Sequence, residues 1–168
     1  MPPVILHPKI LAYIGIDPGQ KGGIVCITFG ENKDTRVVSQ WDMPPTREGV
    51  INLMRSLTNT YRCRAVIESV HAMPGNSGQS MFSFGQGFGV LLTCLDVFGW
   101  DYTLEDPRRW QTAVGIRPKG KGEEKNEWKK RLVRYANTAL HGTFTTYTGD
   151  AALLAMRSVA IYKDLGIG

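Results

Sequence analysis

The apolar residues of this chain fall into runs of two different periods. Tyr13-Ile14-Gly15-Ile16 is a short run with a β-branched bias that stops on Asp17 and meets Pro18-Gly19 at once, the pattern of a buried strand ended by a turn. Gly23 to Phe29 reads as its hairpin partner, Glu31 to Thr35 as a polar turn and Arg36 to Trp41 as a third strand, giving an antiparallel meander. The period then lengthens. Val50, Leu53, Met54 and Leu57 recur at helical spacing behind a helix start at Thr46 to Gly49. That helix returns the chain to Ala65-Val66-Ile67-Glu68, a second strand that ends on an acid before a Pro- and Gly-rich loop. A strand, a crossover helix and a parallel strand connect in the right-handed sense, which can set the Glu68 strand beside the Asp17 strand.

Helical character resumes near Ser80 and continues to Leu95 through Gly85, Gly87 and Gly89. Each glycine costs up to about 1 kcal/mol relative to Ala inside a helix, so close backbone approach to another helix, across a dimer, is the expected compensation. Trp100 to Leu104 reads as a further strand, and Asp106-Pro107 supplies the cap and first residue of a helix that Gly115 ends. Trp128, Leu132, Tyr135, Ala136 and Ala139 share one face of the next helix, and His141 to Thr148 is a Thr-rich loop. The last helix starts about Gly149-Asp150 with Ala151, Leu154, Ala155, Ser158, Val159 and Tyr162 as its buried stripe. Asp150 lies one turn before Leu154 and faces inward with that stripe. This order of elements predicts an α/β layered fold.

Composition narrows the picture little. The 168 residues fit one domain over 1–168, with 1–10, broken by three prolines, as a loosely packed N-terminal segment. Twenty basic against fifteen acidic residues give a net charge of +5, which suits a phosphate backbone without requiring one. The excess is concentrated in Arg117, Lys119, Lys121, Lys125, Lys129, Lys130, Arg131 and Arg134. Cys26, Cys63 and Cys94 are odd in number and widely spaced, so neither a disulfide framework nor a thiolate zinc site is indicated and a reducing compartment follows. The N-terminus is too polar for a signal peptide, and no run reaches the roughly 18 apolar residues of a membrane span. The expectation is a protein that is not secreted and has no membrane partner. It would be cytoplasmic or nucleoid-associated, or located in an organelle matrix had a targeting segment been removed. Gly85-Gln86-Gly87-Phe88-Gly89 is no dinucleotide loop, because Val90 stands where the last glycine belongs, and no small-molecule cofactor is expected.

The candidate chemistry lies where the strands stop. Neighbouring strands run about 4.8 Å apart, so carboxylates at their exits can converge. Converging acids need positive charge between them, and hard Mg²⁺ takes oxygen ligands; two such ions about 3.5–4 Å apart can hold a scissile phosphate. Asp150 is a third acid at an element terminus. Singly, the three would be a turn aspartate, a strand-end surface acid and a helix-terminal acid; their joint placement favours a shared site.

At these residues the chain resembles the RuvC family of Holliday-junction resolvases, within the ribonuclease H-like superfamily. The landmarks are Ile14-Gly15-Ile16-Asp17-Pro18-Gly19, Val66-Ile67-Glu68, Phe84-Gly85-Gln86-Gly87-Phe88-Gly89, Gln111 to Gly115 with Glu124-Lys125, and Asp150 to Ala155. They keep the family's order from Ile14 to about Ala155, and the Gly-rich helix also resembles the phage and organellar branches. The resemblance implies a mixed five-stranded ribonuclease H-like sheet with helices on both faces. It also implies a homodimer that nicks two strands of a four-way DNA junction symmetrically. The implied ions are two Mg²⁺ per site, replaceable by Mn²⁺, with Asp17 bridging and Glu68 and Asp150 each holding one. Lys125 matches the family's active-site lysine.

One position departs from the family. Tyr147 stands where a fourth acid or a histidine is usual. Three acids alone, weaker metal binding, a shifted register in the Thr-rich loop, or His141 folding back as a ligand are the alternatives. For DNA contact the expectations are Lys119, Lys121, Lys129, Lys130 and Arg134 on phosphates, with His71 or Phe82 stacking on unpaired bases; Phe84 is expected to pack in the core or between copies. Rival readings are a ribonuclease H-like nuclease acting on other branched DNA or hybrids, and a catalytically inactive junction-binding protein.

Overall fold

The computed structural model describes residues 9–30, 36–69 and 77–164, the side chain of Asp164 excepted. The expected polar turn at 31–35, His71 and almost all of the N-terminal segment lie outside the described residues. Five strands, β1 (Ile10–Asp17), β2 (Gly23–Phe29), β3 (Arg36–Asp42), β4 (Tyr61–Glu68) and β5 (Asp101–Glu105), form one mixed sheet in the order β3-β2-β1-β4-β5. The first three strands are antiparallel neighbours, as the meander predicts, and β4 and β5 add in parallel. The helices are α1 (Arg47–Thr60), α2 (Gly78–Val97), α3 (Pro107–Ala113), α4 (Lys125–Leu140) and α5 (Gly149–Asp164).

Strand alternation divides the core into two layers. Ala12, Ile14, Ile16, Ile24 and Cys26 pack with α1 and α2, whereas Tyr13, Val25, Ile27 and Val66 pack with α3, α4 and α5. The helix starts follow their predicted chemistry. Thr46 Oγ1 accepts from Gly49 N at 3.1 Å, Ser77 Oγ accepts from Ser80 N at 3.2 Å, and Asp106 Oδ1 accepts from Arg108 N at 2.9 Å with Pro107 opening α3. β4 begins four residues before its apolar run, with Tyr61 to Arg64 already paired to Ile10 to Tyr13 of β1, and Arg64 is buried there, its guanidinium 5.3 Å from the Tyr162 ring centre and 3.5 Å from Asp101. All three cysteines are buried and free, and burial pushes the Cys26 and Cys63 thiols up to about 12.

Helix α5 lies directly on β1. A Cβ placed on Gly15 would overlap the Ala151 carbonyl oxygen and the Ala155 amide nitrogen, and would sit 2.8 Å from the Leu154 carbonyl carbon. Both elements are backbone there, so nothing can rotate away. Gly15→Ala is therefore expected to cost more than about 3 kcal/mol, at or beyond the upper end for overpacked cores; chemical denaturation measures it, and a change below about 1 kcal/mol would contradict the contact. On the other edge Arg157 of α5 holds the buried Glu105 of β5 with hydrogen bonds of 2.9 to 3.1 Å, and Ser158 Oγ donates to Arg64 O at 2.9 Å.

No atom lies within 4 Å of a Cβ built on Gly85, Gly87 or Gly89, so among the described residues no helix of the same chain packs on these glycines and their face is left open to a second copy. One expectation about α2 is corrected. By length and composition α2 is apolar enough to cross a membrane, contrary to the expectation that no run is. Its Leu91, Cys94 and Leu95 are nonetheless seated on the sheet, and its opposite side is open.

Candidate active site

The topology brings three acids to one rim. Ile16 pairs with Ile67 in the parallel β1–β4 ladder, so Asp17 and Glu68 are the next residues of adjacent strands. Asp150 enters from the first turn of α5, inward as its spacing with Leu154 predicts, and is 7% exposed against 9% for Asp17. Gly22 is needed beside them, because a Cβ there would overlap the Asp17 carbonyl oxygen and lie 3.2 Å from the Asp17 carboxyl carbon.

The acids act on one another's charge. Burial raises the Asp17 carboxyl well above its ordinary range, Asp150 and then Glu68 raise it further, and Lys129 opposes them. Burial likewise pushes Glu68 up to about 7, countered by a hydrogen bond from Trp110 and by Lys129, and assisted by Asp150 and Asp106. The bond from Trp110 is direct: Nε1 donates to Glu68 Oε2 at 2.9 Å from a fully buried ring on α3. Lys129 Nζ donates to Asp150 Oδ2. The Lys129 ammonium is desolvated, yet its pKa is raised by Asp150, Asp17 and Glu68 together.

The lysine at the acids is thus Lys129, one turn along α4 from Lys125. Lys125 is exposed at the helix start and has no ion pair among the described residues. His141 does not fold back: it caps α4 in the left-handed conformation (φ 52°), exposed, twelve residues and about 18 Å of helix beyond Lys129. Tyr147 is exposed, its amide donating to Thr145 Oγ1 at 3.1 Å, while the neighbouring Thr148 hydroxyl reaches Gln40 Oε1 at 2.6 Å. Lys119, Lys121, Lys130 and Arg134 are all exposed, Lys130 in an ion pair with Glu127 at 2.8 Å. Arg131 has a structural task, holding Glu123 at 2.9 Å and stacking 4.3 Å above the Trp128 ring. Phe82 is 69% exposed on α2; Phe84 is half-buried and stacks on Phe88 at 6.2 Å. Sequence reasoning missed Trp110 and the buried Glu105, whose only sequence signals were a tryptophan inside a Pro-started helix and an acid directly before the Asp106 cap.

Three carboxylates at one rim, with Asp17 and Glu68 pushed up first by burial and then by the negative charge of their neighbours, are a donor set for a hard divalent cation, which prefers oxygen ligands. Among the described residues no three side chains close tightly enough to enclose an ion in the present arrangement, in which the Lys129 ammonium holds Asp150. The donors fit by chemistry once that ammonium moves off Asp150.

The same charges fix the pH behaviour of the ion-free protein. Glu68 titrates near its ordinary 4.5 when unfolded and near 7 when folded, so its contribution to stability is full below about 4.5 and is lost as pH rises through 7. The Tm without divalent ions is expected to fall across this window, Glu68→Gln to flatten the fall, and millimolar Mg²⁺ to recover it at pH 7.5. A flat wild-type profile would contradict the desolvation of these acids.

No protein-family model matches the sequence, and no curated protein does. Solved structures do match. RuvC of Thermus thermophilus superposes with a TM-score of 0.56 both in complex with Holliday junction substrate and alone, at 13% and 14% identity. Each match covers 93% of this chain, with 96% and 97% of the RuvC chain. The fold is that of RuvC. The yeast mitochondrial Holliday junction resolvase Ydc2 also matches, at a TM-score of 0.41 and 12% identity over 96% of this chain and 85% of that one. The mixed five-stranded sheet flanked by helices is therefore the RuvC arrangement that the resemblance implied. Within the RuvC fold of this chain, Asp17, Glu68 and Asp150 occupy one rim of the sheet.

Proposed function

We propose that the protein is a divalent-metal-dependent endonuclease that resolves four-way DNA junctions by paired symmetric nicks. The observation that carries this reading is the gathering of Asp17, Glu68 and Asp150, far apart in sequence, around one ammonium at the sheet rim of a RuvC fold. A RuvC that superposes on this chain was solved with a Holliday junction substrate, which supports the choice of DNA.

The residue roles follow from position. Asp17, whose carboxyl feels the charge of both other acids, would contact both ions; Glu68 and Asp150 would each hold one. Such ions supply an activated water and stabilise charge on the leaving oxygen, and Mn²⁺ would replace Mg²⁺. Trp110 occupies one Glu68 oxygen, so that carboxylate presents the other to the site. Lys129 would leave Asp150 for a phosphate oxygen as negative charge develops there. Lys119, Lys121, Lys125, Lys130 and Arg134 would contact the backbone, each neutralised phosphate steepening the salt dependence of binding, and Phe82 would stack on an unpaired base near the crossover.

Paired nicking needs two sites a fixed distance apart, hence two copies. The open side of α2 suits that contact: Gly85, Gly89, Thr93 and Val97, which is 74% exposed, lie along it without Cβ crowding at the glycines. A second α2 can approach such a stripe closely.

The test is cleavage of a synthetic mobile four-way junction with Mg²⁺, beside linear duplex and an RNA–DNA hybrid of the same sequence. Paired nicks on the junction alone are expected. Equal cutting of all three substrates would replace junction selectivity by a general ribonuclease H-like activity, and tight junction binding without cutting under any divalent ion would indicate an inactive junction binder.

A further inference from the structure

On the α1–α2 side of the sheet, behind the turn that follows Asp17, lies an open cavity of about 690 Å³, a volume typical of sites for small organic groups. Its walls come from the β1–β2 turn at Gly19 to Lys21, the loop into α1 at Met43 to Arg47, and the first turns of α2. The acids stand across the same rim. Asp17 follows Tyr13 and Gly15 on the face of β1 that meets α5, whereas Ile14 and Ile16 face α1 and α2. A nucleic acid strand with its scissile phosphate at Asp17 can therefore cross the turn and reach the cavity with a neighbouring nucleotide.

Beside aliphatic lining from Met43, Pro44, Val50 and Leu91, the walls offer three kinds of group that can hold a polar ligand. Phe84 offers an aromatic wall, Gln79 and Gln86 offer amides that can both donate and accept, and Lys21 and Arg47 offer positive charge. These four polar side chains have no hydrogen bond or ion pair among the described residues, so their bonding capacity is unspent within the fold. An aromatic face stacks any base, amides discriminate base edges, and cations take the phosphates on either side. A lipid chain would meet the aliphatic lining but leave both amides unused, a peptide would leave both cations without a phosphate, and an isolated phosphate would not use the ring.

We propose that this cavity is a nucleotide subsite. It takes one unstacked base of the cleaved strand against Phe84, with Gln79 and Gln86 reading its edge and Lys21 and Arg47 on the flanking phosphates. The proposal rests on the nuclease reading above and adds to it the source of a sequence preference at the cut.

Two measurements test it. The first follows 2-aminopurine fluorescence in a short single-stranded oligonucleotide titrated with the full chain and Ca²⁺ in place of Mg²⁺. Quenching is expected with wild type and is expected to weaken at least about fivefold in apparent affinity when Ser83→Trp fills the cavity or Arg47→Ala removes a phosphate contact. The second sequences the cut sites in a pool of junctions randomised around the crossover. Wild type is expected to favour one base at a fixed offset by about fivefold or more, the scale of one well-made amide-to-base contact, and the Gln79→Ala/Gln86→Ala double variant to flatten that preference. These glutamines are exposed, so that variant keeps the fold even if Ser83→Trp disturbs α2. Quenching unchanged in every cavity variant, or a cut-site profile identical between wild type and the glutamine variant, overturns the subsite. Absence of junction cleavage by wild type overturns the nuclease reading instead, and the fluorescence result still decides whether the cavity holds a base.

Discussion

Asp17→Asn is expected to lower junction cleavage by about three orders of magnitude or more while leaving junction binding intact or tighter. Asp17 is the acid that both other carboxylates act upon, and it lies at the exit of the central strand. The amide is nearly isosteric but carries no charge, so it cannot share divalent ions with Glu68 and Asp150, and loss of a charge-stabilising group at a reacting centre is worth about 10²–10³ on its own. Binding responds in the opposite direction because a negative charge beside the DNA backbone is gone. Stability should rise too: a desolvated carboxyl held well above its ordinary pKa by two like charges is a cost to the folded state at neutral pH. Single-turnover cleavage, gel-shift affinity in Ca²⁺ and thermal denaturation measure the three effects. Loss of binding, or residual cleavage within tenfold of wild type, would remove Asp17 from the role assigned to it.

Lys129→Ala and Lys125→Ala should separate by about two orders of magnitude in cleavage rate. Lys129 is the ammonium at the acids, and its removal takes away the side chain placed to meet a developing phosphate charge, at about 10²–10³ in rate. It also leaves Asp150 without its ion pair, so the ion-free variant should be less stable at pH 7.5 and recover with Mg²⁺. Lys125 is exposed at the start of the same helix, and its removal should lower affinity a few-fold and reduce the salt slope by about one. Equal rate losses in the two variants would return Lys125 to the site.

The acids were legible because each ends an element whose period is clear. An apolar run that stops on a carboxylate before Pro-Gly can hardly be anything but a strand exit, and Asp150 inherits its direction from the helical stripe that follows it. The lysine was not legible. Lys125 and Lys129 are one turn apart on the same face of α4, so periodicity treats them alike, and only the depth at which α4 passes the rim separates them. The start of β4 was hidden for a related reason: the apolar run begins only at Ala65, whereas the strand already carries Arg64, buried against Tyr162 and Asp101. Trp110 and Glu105 escaped notice because their partners, Glu68 and Arg157, are 42 and 52 residues away. The Gly-rich helix was legible as a helix, and the structure shows that no part of the same chain fills the space beside Gly85, Gly87 and Gly89, which sequence alone cannot say.

Helix α5 is fastened on two sides, its backbone against Gly15 of the central strand and Arg157 on Glu105 of the edge strand. It therefore behaves as a keel: the backbone of Asp150 has no travel of its own, and the helix cannot slide without pulling both strands. In the proposed metal-bound state, ions of different radius would be accommodated by side-chain torsions of Glu68 and Asp150 and by the long arm of Lys129, the backbone acting as a gauge of fixed span rather than a jaw that closes.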